Sequence, residues 1–403
     1  MSSKSISFTE ILMLLLLGIF LFTPFSSLQR VIFIYSVFGV WLFSSMIKDS
    51  SWILEAKTQV VLISIIALLH FVVSLHTDST FSHFIAFNLP TYLWCLVFVY
   101  YSRHCEDYKK LLVPTFIIVL ISSILTIRAN LILPGASRYL ATASDSSWGS
   151  LRESANSLFA GGYSFIFSLV FLAMPLILMH KSHLVRKQWL FWLIYCCMAA
   201  CVIVGSYFTA ILLFLLVSIL SFSRISSTGK TILSIIIVGL LFLALKDFFL
   251  QSLIDLGNTI GSPMLTRRAE QMLYGTYVSD YEGTDDSRIE RAYNALHNFA
   301  QSPIFGRLFG EIPNKLESDH SELLGYMENF GLFSVFYFFF YKKIFSTVYS
   351  KINGKEYRKY YSLFFCVFIL FLLIDKFDIA TGTAAIVFFI APMLFLVIDF
   401  NAQ

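Results

Sequence analysis

Long apolar runs alternate with short polar segments along almost the whole chain. Each run has about 15 to 23 residues, and a helix of roughly that length crosses a hydrocarbon core about 30 Å thick. One apolar stretch is too long for a single crossing and is divided at Gly205 and Ser206. The pattern predicts about twelve transmembrane helices, at 11–27, 31–47, 59–75, 84–101, 111–127, 157–179, 189–204, 207–222, 231–249, 323–341, 361–375 and 380–399.

Two longer polar segments interrupt this pattern and divide the chain. Residues 1–249 hold the first nine predicted helices and include a polar loop at 128–156, residues 250–322 form a large polar loop, and residues 323–403 hold the last three helices. Within the large loop, a helix is predicted from Arg288 to Gln301, because apolar residues recur there with helical spacing. These apolar positions are Ile289, Ala292, Ala295, Leu296 and Phe299.

The composition agrees with a membrane protein. Hydrophobic residues make up 57% of the chain and charged residues 13%, and the mean hydropathy is +0.75. So little polar surface cannot cover a soluble globule. We therefore predict an all-α, polytopic integral membrane protein, and the first apolar run is retained as a helix because no small-residue cleavage pattern follows it.

Lysines and arginines collect in alternate loops, and short loops rich in these residues stay in the cytoplasm. Seventeen of them fall on one side and five in the short loops of the other when both termini are placed in the cytoplasm. Both 128–156 and 250–322 then lie on the outer face. The net charge of +4 is spread over many loops, so it indicates membrane topology, and no nucleic-acid partner is predicted.

Several function classes lack their sequence signals. The chain has no glycine-rich nucleotide loop, no HExxH metalloprotease motif and no Gly-x-Ser-x-Gly elbow. The six cysteines fall in helices or on the inner side, so packing is predicted for them and no disulfide or metal site. Few ionisable residues lie inside spans, and no inverted repeat is evident, which weakens a transport function. Of the ionisable residues, His70 and Glu328 are predicted to be buried hydrogen-bonding residues.

The candidate chemistry lies in the large outer loop. Arg288 and Arg291 stand at i and i+3 of the predicted helix, so their guanidinium groups would converge on one side. His320 comes just before the next span, with acidic neighbours that could orient its ring at Glu317, Asp319 and Glu322. The simpler alternatives are a solvated helix cap for the histidine and surface ion pairs for the arginines.

The same residues resemble the motif of the O-antigen polymerase and O-antigen ligase superfamily, which are membrane glycosyltransferases of bacterial surface polysaccharide assembly. The matching positions cover about fifty residues. They are Asp286-Ser287-Arg288, Ala295-Leu296, Ser302-Pro303-Ile304-Phe305-Gly306, Gly310, His320, Leu324 and Gly331-Leu332.

A second family pattern corresponds to Arg152, Asn156 and Ala160 in the other outer loop. Three positions depart from the family: Ala292 replaces a tryptophan, Ser321 replaces the asparagine after the histidine, and Tyr207 replaces the arginine of a Ser-Arg pair.

The resemblance implies a polymerase that joins glycan repeat units carried on undecaprenyl diphosphate, at the outer face of the bacterial inner membrane. His320 would be the general base, Arg288 would stabilise the diphosphate, and Arg291, Arg152 and Asn156 would bind substrate. No cofactor or metal is expected. Membrane lipid and the chain-length regulator and flippase of the same pathway are the expected partners. The alternatives are a ligase that transfers the glycan to the lipid A core and, more distantly, a flippase for lipid-linked oligosaccharides.

Overall fold

The computed structural model describes residues 6–28, 31–76, 80–140, 149–185, 187–223, 246–259, 261, 266, 269–270, 273–274, 288–310, 321–375, 377 and 381–401. This part of the chain is helical and contains no strand. The helices are α1 Phe8–Leu21, α2 Val31–Lys48, α3 Trp52–Ser74, α4 Leu89–Arg103, α5 Cys105–Ile132, α6 Ala136–Tyr139, α7 Gly149–Ser157, α8 Tyr163–Lys181, α9 Gln188–Val204, α10 Phe208–Phe222, α11 Lys246–Thr259, α12 Arg288–Gln301, α13 Glu322–Phe330, α14 Val335–Lys351, α15 Lys355–Ile374 and α16 Ala391–Asn401.

Shorter helical turns extend several of these elements. Thr80–His83 and the π-turn Phe84–Asn88 lead into α4, and Thr381–Ala385 and the π-turn Ile386–Ile390 lead into α16. A 3-10 turn, Gly331–Ser334, joins α13 to α14.

The described helices form a multi-pass membrane protein. Eight stretches of described residues are long and apolar enough to cross a bilayer, and the shorter apolar helices α1, α9 and α10 accompany them. The predicted span 231–249 lies outside the described residues except for its last four positions. The count of about twelve spans and the side of the membrane on which the loops lie therefore remain predictions.

Two predicted helix boundaries can be compared directly with the structure. The chain breaks between Val204 and Phe208 as predicted, with Ser206 at a φ of 59°. The span predicted at 157–179 instead begins at Tyr163, so its predicted start was wrong. Phe159, at a φ of 59°, and the extended Gly162 separate α7 from α8. An apolar run alone does not reveal such a turn.

Burial divides the helices into central and peripheral ones. The share of residues that are buried is 94% in the stretch Gly382–Asn401 and 83% in Tyr163–Lys181, but only 28% in Val31–Lys48. The peripheral helices expose large apolar side chains, such as Ile32 at 83% and Leu54 at 73%. This is the surface that a lipid environment favours, because apolar side chains there remain out of water.

Ion pairs gather at one end of the bundle, which we call the lysine-rich end. Lys48 lies 2.7 Å from Asp107, and Lys110 lies 3.3 Å from the fully buried Glu10. Arg103 and Lys351, from α4 and α14, both contact the carboxylate of Glu55 at the start of α3.

The opposite end, which we call the loop end, contains α6, α7 and the start of α13. Hydroxyl and backbone groups join its elements: the Gly161 N–H donates to Thr126 Oγ1 at 2.8 Å, and the Gly382 N–H donates to Ser164 Oγ at 2.8 Å. Of the candidate site residues, Arg152, Asn156 and Glu322 belong to this end.

Candidate functional site at the loop end

The structure describes the candidate residues to different extents. His320, Glu317 and Asp319 lie outside the described residues. Arg288 and Arg291 have a described backbone, in the first turn of α12, but their side chains lie outside the described part. The remaining candidates, in α7 and α13, are described in full, as are the elements that hold them.

Helix α12 has the bounds that the sequence predicted, and it ends at Gln301 just before Ser302 and Pro303. Its buried positions Ala295 and Asn298, at 1% exposure each, face α13. Asn298 Nδ2 donates to Glu328 Oε1 at 2.8 Å. The prediction that Glu328 is a buried hydrogen-bonding residue is confirmed, and this bond fixes α12 to α13.

Two glycines pack directly against each other below this contact. Gly306 and Gly331 both have a φ of 55°, a conformation that L side chains rarely adopt. A Cβ added to Gly306 would lie 2.5 Å from the Gly331 nitrogen, and one added to Gly331 would lie 2.6 Å from the Gly306 nitrogen. We call this contact the glycine clamp.

Backbone hydrogen bonds reinforce the glycine clamp on both sides. The Leu332 N–H donates to the Ile304 carbonyl at 3.1 Å, and the Arg307 N–H donates to the Asn329 carbonyl at 2.8 Å. The segment after α12 and the segment after α13 are thereby held in register, although Gly331 comes 25 positions after Gly306 in the sequence.

The residue that follows His320 has a fixed position. Ser321 is buried, and its Oγ accepts a hydrogen bond from the Leu324 N–H at 3.3 Å, capping α13. The same hydroxyl donates to the Leu372 carbonyl of α15 at 3.3 Å. Ser321 therefore attaches this point of the chain to two helices.

Glu322 is 5% exposed, and its carboxylate is held by the bundle. One oxygen accepts a hydrogen bond from the Tyr326 hydroxyl, and the other accepts one from the Phe377 N–H at 3.0 Å. These contacts direct the carboxylate toward the protein interior. Its predicted role in orienting His320 stays a prediction.

A chain of hydroxyl groups continues from Glu322 into the bundle. The Tyr326 oxygen lies 3.0 Å from the Tyr92 hydroxyl and 3.2 Å from the Tyr341 hydroxyl. Because Tyr326 has one proton and gives it to the carboxylate, both neighbours donate to Tyr326. The donors therefore converge, through Tyr326, on the Glu322 carboxylate.

His70 lies beside this network. Its Nε2 lies 2.7 Å from the Tyr337 hydroxyl, and its ring stacks on Phe84 with centroids 4.5 Å apart. The prediction that His70 is a hydrogen-bonded packing residue is confirmed.

Arg152 and Asn156 occupy α7, which packs with α6 on the end of α5. A small cluster of buried residues, including Ala129, Ala136 and Ala155, holds these helices together. Arg152 is half-buried and Asn156 is exposed. Arg152 and Asn156 are therefore presented at the loop end on a packed element.

Sequence reasoning passed over Arg138. Its guanidinium lies over the ring of Tyr207, 4.8 Å from the centroid, and the Tyr207 hydroxyl donates to the Ser137 carbonyl at 2.8 Å. Tyr207 directly precedes α10, at the break that follows α9. A cation from another loop thus stands against this position, and no local signal in the sequence joins residues 138 and 207.

Arg307, the second arginine that was missed, lies between the glycine-clamp residue Gly306 and Leu308. Its Nε is buried and has no hydrogen-bond partner in the described structure.

All six cysteines are free thiols, and the described residues contain no group of three potential metal ligands.

Comparison with known proteins leaves the family open. No protein-family model matches this chain, and no curated protein matches it either.

Proposed function

We propose that this protein is a membrane glycosyltransferase resembling the O-antigen polymerases, which joins glycan repeat units carried on undecaprenyl diphosphate. The glycine clamp is the observation that carries the proposal. It pairs Ile304–Gly306 with Gly331–Leu332, and both segments belong to the motif on which the resemblance rests. The two separated segments of the motif contact each other in the fold, which gives a structural reason for the distance between them in the sequence.

The clamp also joins the elements that carry the proposed reactive groups. Helix α12 begins with Arg288 and Arg291, and α13 begins two residues after His320. The Asn298–Glu328 bond and the clamp attach α12 and α13 to each other. Such rigid attachment is what a site with preorganised charge requires.

In the proposed reaction an acceptor sugar hydroxyl attacks C1 of the donor sugar. The bond between C1 and the diphosphate oxygen breaks, and the lipid diphosphate leaves with the bonding electrons. His320 takes the proton of the attacking hydroxyl, help that is typically worth about 10² to 10⁴ in rate. Glu317, Asp319 or Glu322 would orient the imidazole ring.

Arginine would stabilise the charge that develops on the leaving diphosphate. Its planar, permanently charged fork binds phosphate oxygens in pairs. We assign this role first to Arg288, with Arg291 and Arg152 assisting and Asn156 contacting the substrate. No metal or cofactor takes part, and the reaction occurs at the outer face of the bacterial inner membrane.

Deleting the gene and separating the lipopolysaccharide on a gel tests this function. Loss of a polymerase leaves core that carries a single repeat unit. Bare core with accumulating lipid-linked polymer would instead indicate a ligase, and single units trapped inside the membrane would indicate a flippase. Complementation with the Arg288→Ala variant, at matched protein level, should reproduce the deletion pattern.

A further inference from the structure

The backbone of Arg307 is hydrogen-bonded, but its side chain has no partner among the described residues. The glycine clamp and the bond from its N–H to the Asn329 carbonyl, at 2.8 Å, fix its backbone. Its side chain is half-buried, its Nε is buried without a hydrogen-bond partner, and the guanidinium forms no ion pair with any described residue. A buried donor that lacks a partner is costly, so this group has the properties of one that is completed by a ligand.

Other arginines of the protein differ from Arg307 in this respect. Arg103 pairs with Asp49 and Glu55, and Arg358 donates from its Nε to the Ile352 carbonyl at 2.5 Å. The protein therefore satisfies arginines where they support the fold. Arg307, by contrast, has neither an ion pair nor a partner for its Nε among the described residues.

Exposed apolar side chains lie close to Arg307 along the chain and on the segment that is hydrogen-bonded to it. They belong to Ile304, Phe305, Phe309 and Leu332, whose exposures are 55%, 44%, 67% and 65%. The rings of Phe305 and Phe309 are in contact, with centroids 5.0 Å apart. We call this set the apolar loop surface, and in water such a surface would be unfavourable.

Arg307 is hydrogen-bonded to a residue of the candidate membrane span Glu322–Lys351. Asn329, its backbone partner, lies seven residues after Glu322, which is about 10 Å along the helical run that starts at the loop end. An unpaired guanidinium charge next to hydrocarbon has a high free energy. Binding a phosphate lowers it, so an arginine in this position favours a phosphate ligand.

We propose that Arg307 and the apolar loop surface form a docking site for a lipid that carries a diphosphate. The guanidinium binds the diphosphate oxygens, and the apolar loop surface lies against the first isoprene units of the chain. This inference rests on the proposed function in one respect, because the lipid would be the substrate carrier and would reach α12 and α13 from the side of the bilayer.

Binding by purified protein in detergent, followed by native mass spectrometry, tests the site without any glycan transfer. The probes are a C55 polyprenyl diphosphate, the C55 polyprenol and inorganic pyrophosphate. Arg307→Ala should weaken binding of the polyprenyl diphosphate by about tenfold or more, since charge-assisted hydrogen bonds to a phosphate are lost. Binding of the polyprenol should not change, and Arg307→Lys should retain part of the affinity.

Arg128→Ala is the matched control, because Arg128 is an exposed arginine at the loop end of α5. It should bind the polyprenyl diphosphate like the unaltered protein. Phe309→Ala should weaken binding of the polyprenyl diphosphate more than that of pyrophosphate. Thermal unfolding of each variant shows whether it is folded. If Arg307→Ala is not folded, Arg307→Lys is used in its place.

Two results would overturn the docking site. One is unaltered affinity of folded Arg307→Ala or Arg307→Lys for the polyprenyl diphosphate. The other is equally tight, Arg307-dependent binding of inorganic pyrophosphate, which would identify a free anion as the ligand. The two proposals can fail separately. If the purified protein binds the lipid through Arg307 but deletion of the gene leaves the lipopolysaccharide ladder normal, the proposed function is refuted and the docking site stands.

Discussion

At the scale of single residues, Glu322 shows how the bundle accommodates a buried carboxyl group. Its carboxylate accepts hydrogen bonds from the Tyr326 hydroxyl and the Phe377 N–H, and the hydroxyls of Tyr92 and Tyr341 support Tyr326 in turn. A buried polar group is tolerated when its hydrogen bonds are made. Removing the acceptor leaves buried donors without a partner.

We therefore expect Glu322→Ala to lower the free energy of unfolding by about 2 to 4 kcal/mol, since it removes a buried acceptor. Glu356→Ala, at an exposed position in the first turn of α15, is the control and should change stability by less than about 0.5 kcal/mol. Denaturant unfolding in detergent micelles measures both. Equal stability of the two variants would show that the Glu322 network does not stabilise the bundle.

Some residue roles followed from the sequence and others did not. His70 and Glu328 were predicted as buried hydrogen-bonding residues because an ionisable side chain within an apolar run must find a partner. The stacking of Arg138 on Tyr207 was not foreseen, since the two loops meet only in the folded chain. Arg307 was passed over because its lack of a partner is a property of the structure and not of the motif.

At the scale of elements, α12 and α13 are attached to each other mainly by backbone. Gly306 and Gly331 approach so closely that neither can carry a Cβ, and both have a positive φ. The contact between α12 and α13 therefore requires glycine at both positions. Most contacts between apolar helices, by contrast, tolerate exchange of one apolar side chain for another of similar volume.

Gly331→Ala should separate α12 from α13, because the methyl group would meet the Gly306 nitrogen at 2.6 Å and the conformation itself disfavours alanine. We expect a destabilisation of at least about 2 kcal/mol and loss of glycan polymerisation. Gly310→Ala is the matched control, since none of the described residues lies within 4 Å of its added Cβ. Protease susceptibility of the α12 region and the polysaccharide ladder measure the effect, and equal behaviour of the two alanine variants would contradict the clamp.

Helix α12 was predicted with its correct bounds, because its apolar residues repeat with helical spacing and Ser302–Pro303 ends it. The sequence predicted that α8 starts at residue 157, but it starts at Tyr163, six residues later. The residues before Tyr163 are apolar or small, but the turn at Phe159 and Gly162 depends on backbone contacts, such as that between Gly161 and Thr126. Hydrophobicity carries no information about such a turn.

At the scale of the whole molecule, charge and loops occupy opposite ends of the bundle. The lysine-rich end contains the ion pairs of Glu10, Asp107 and Glu55, and the loop end contains α6, α7 and the entrance to α13. The sequence predicted that lysines and arginines collect on one side of the membrane, and the assignment of that side to the cytoplasm stays a prediction. The sequence could not supply the exact number of spans, since hydrophobic length alone does not fix where a helix breaks.

The predicted orientation can be tested with single cysteines in a background that lacks the six native ones. Ser154→Cys lies on an exposed position of α7, and Ser350→Cys lies on an exposed position near the end of α14. A membrane-impermeant maleimide should label the first in intact spheroplasts and the second only after permeabilisation. The reverse pattern would place the proposed site in the cytoplasm.

The central claim is that the loop end transfers glycans between lipid diphosphates with His320 as the base. The most direct measurement uses purified protein in nanodiscs, with lipid-linked repeat units extracted from the deletion strain, and follows chain length and released lipid diphosphate together. The account predicts that both rise together, that EDTA has no effect, and that His320→Ala slows both by about 10² or more. Absence of longer chains with the unaltered protein, or equal rates with His320→Ala, would contradict it.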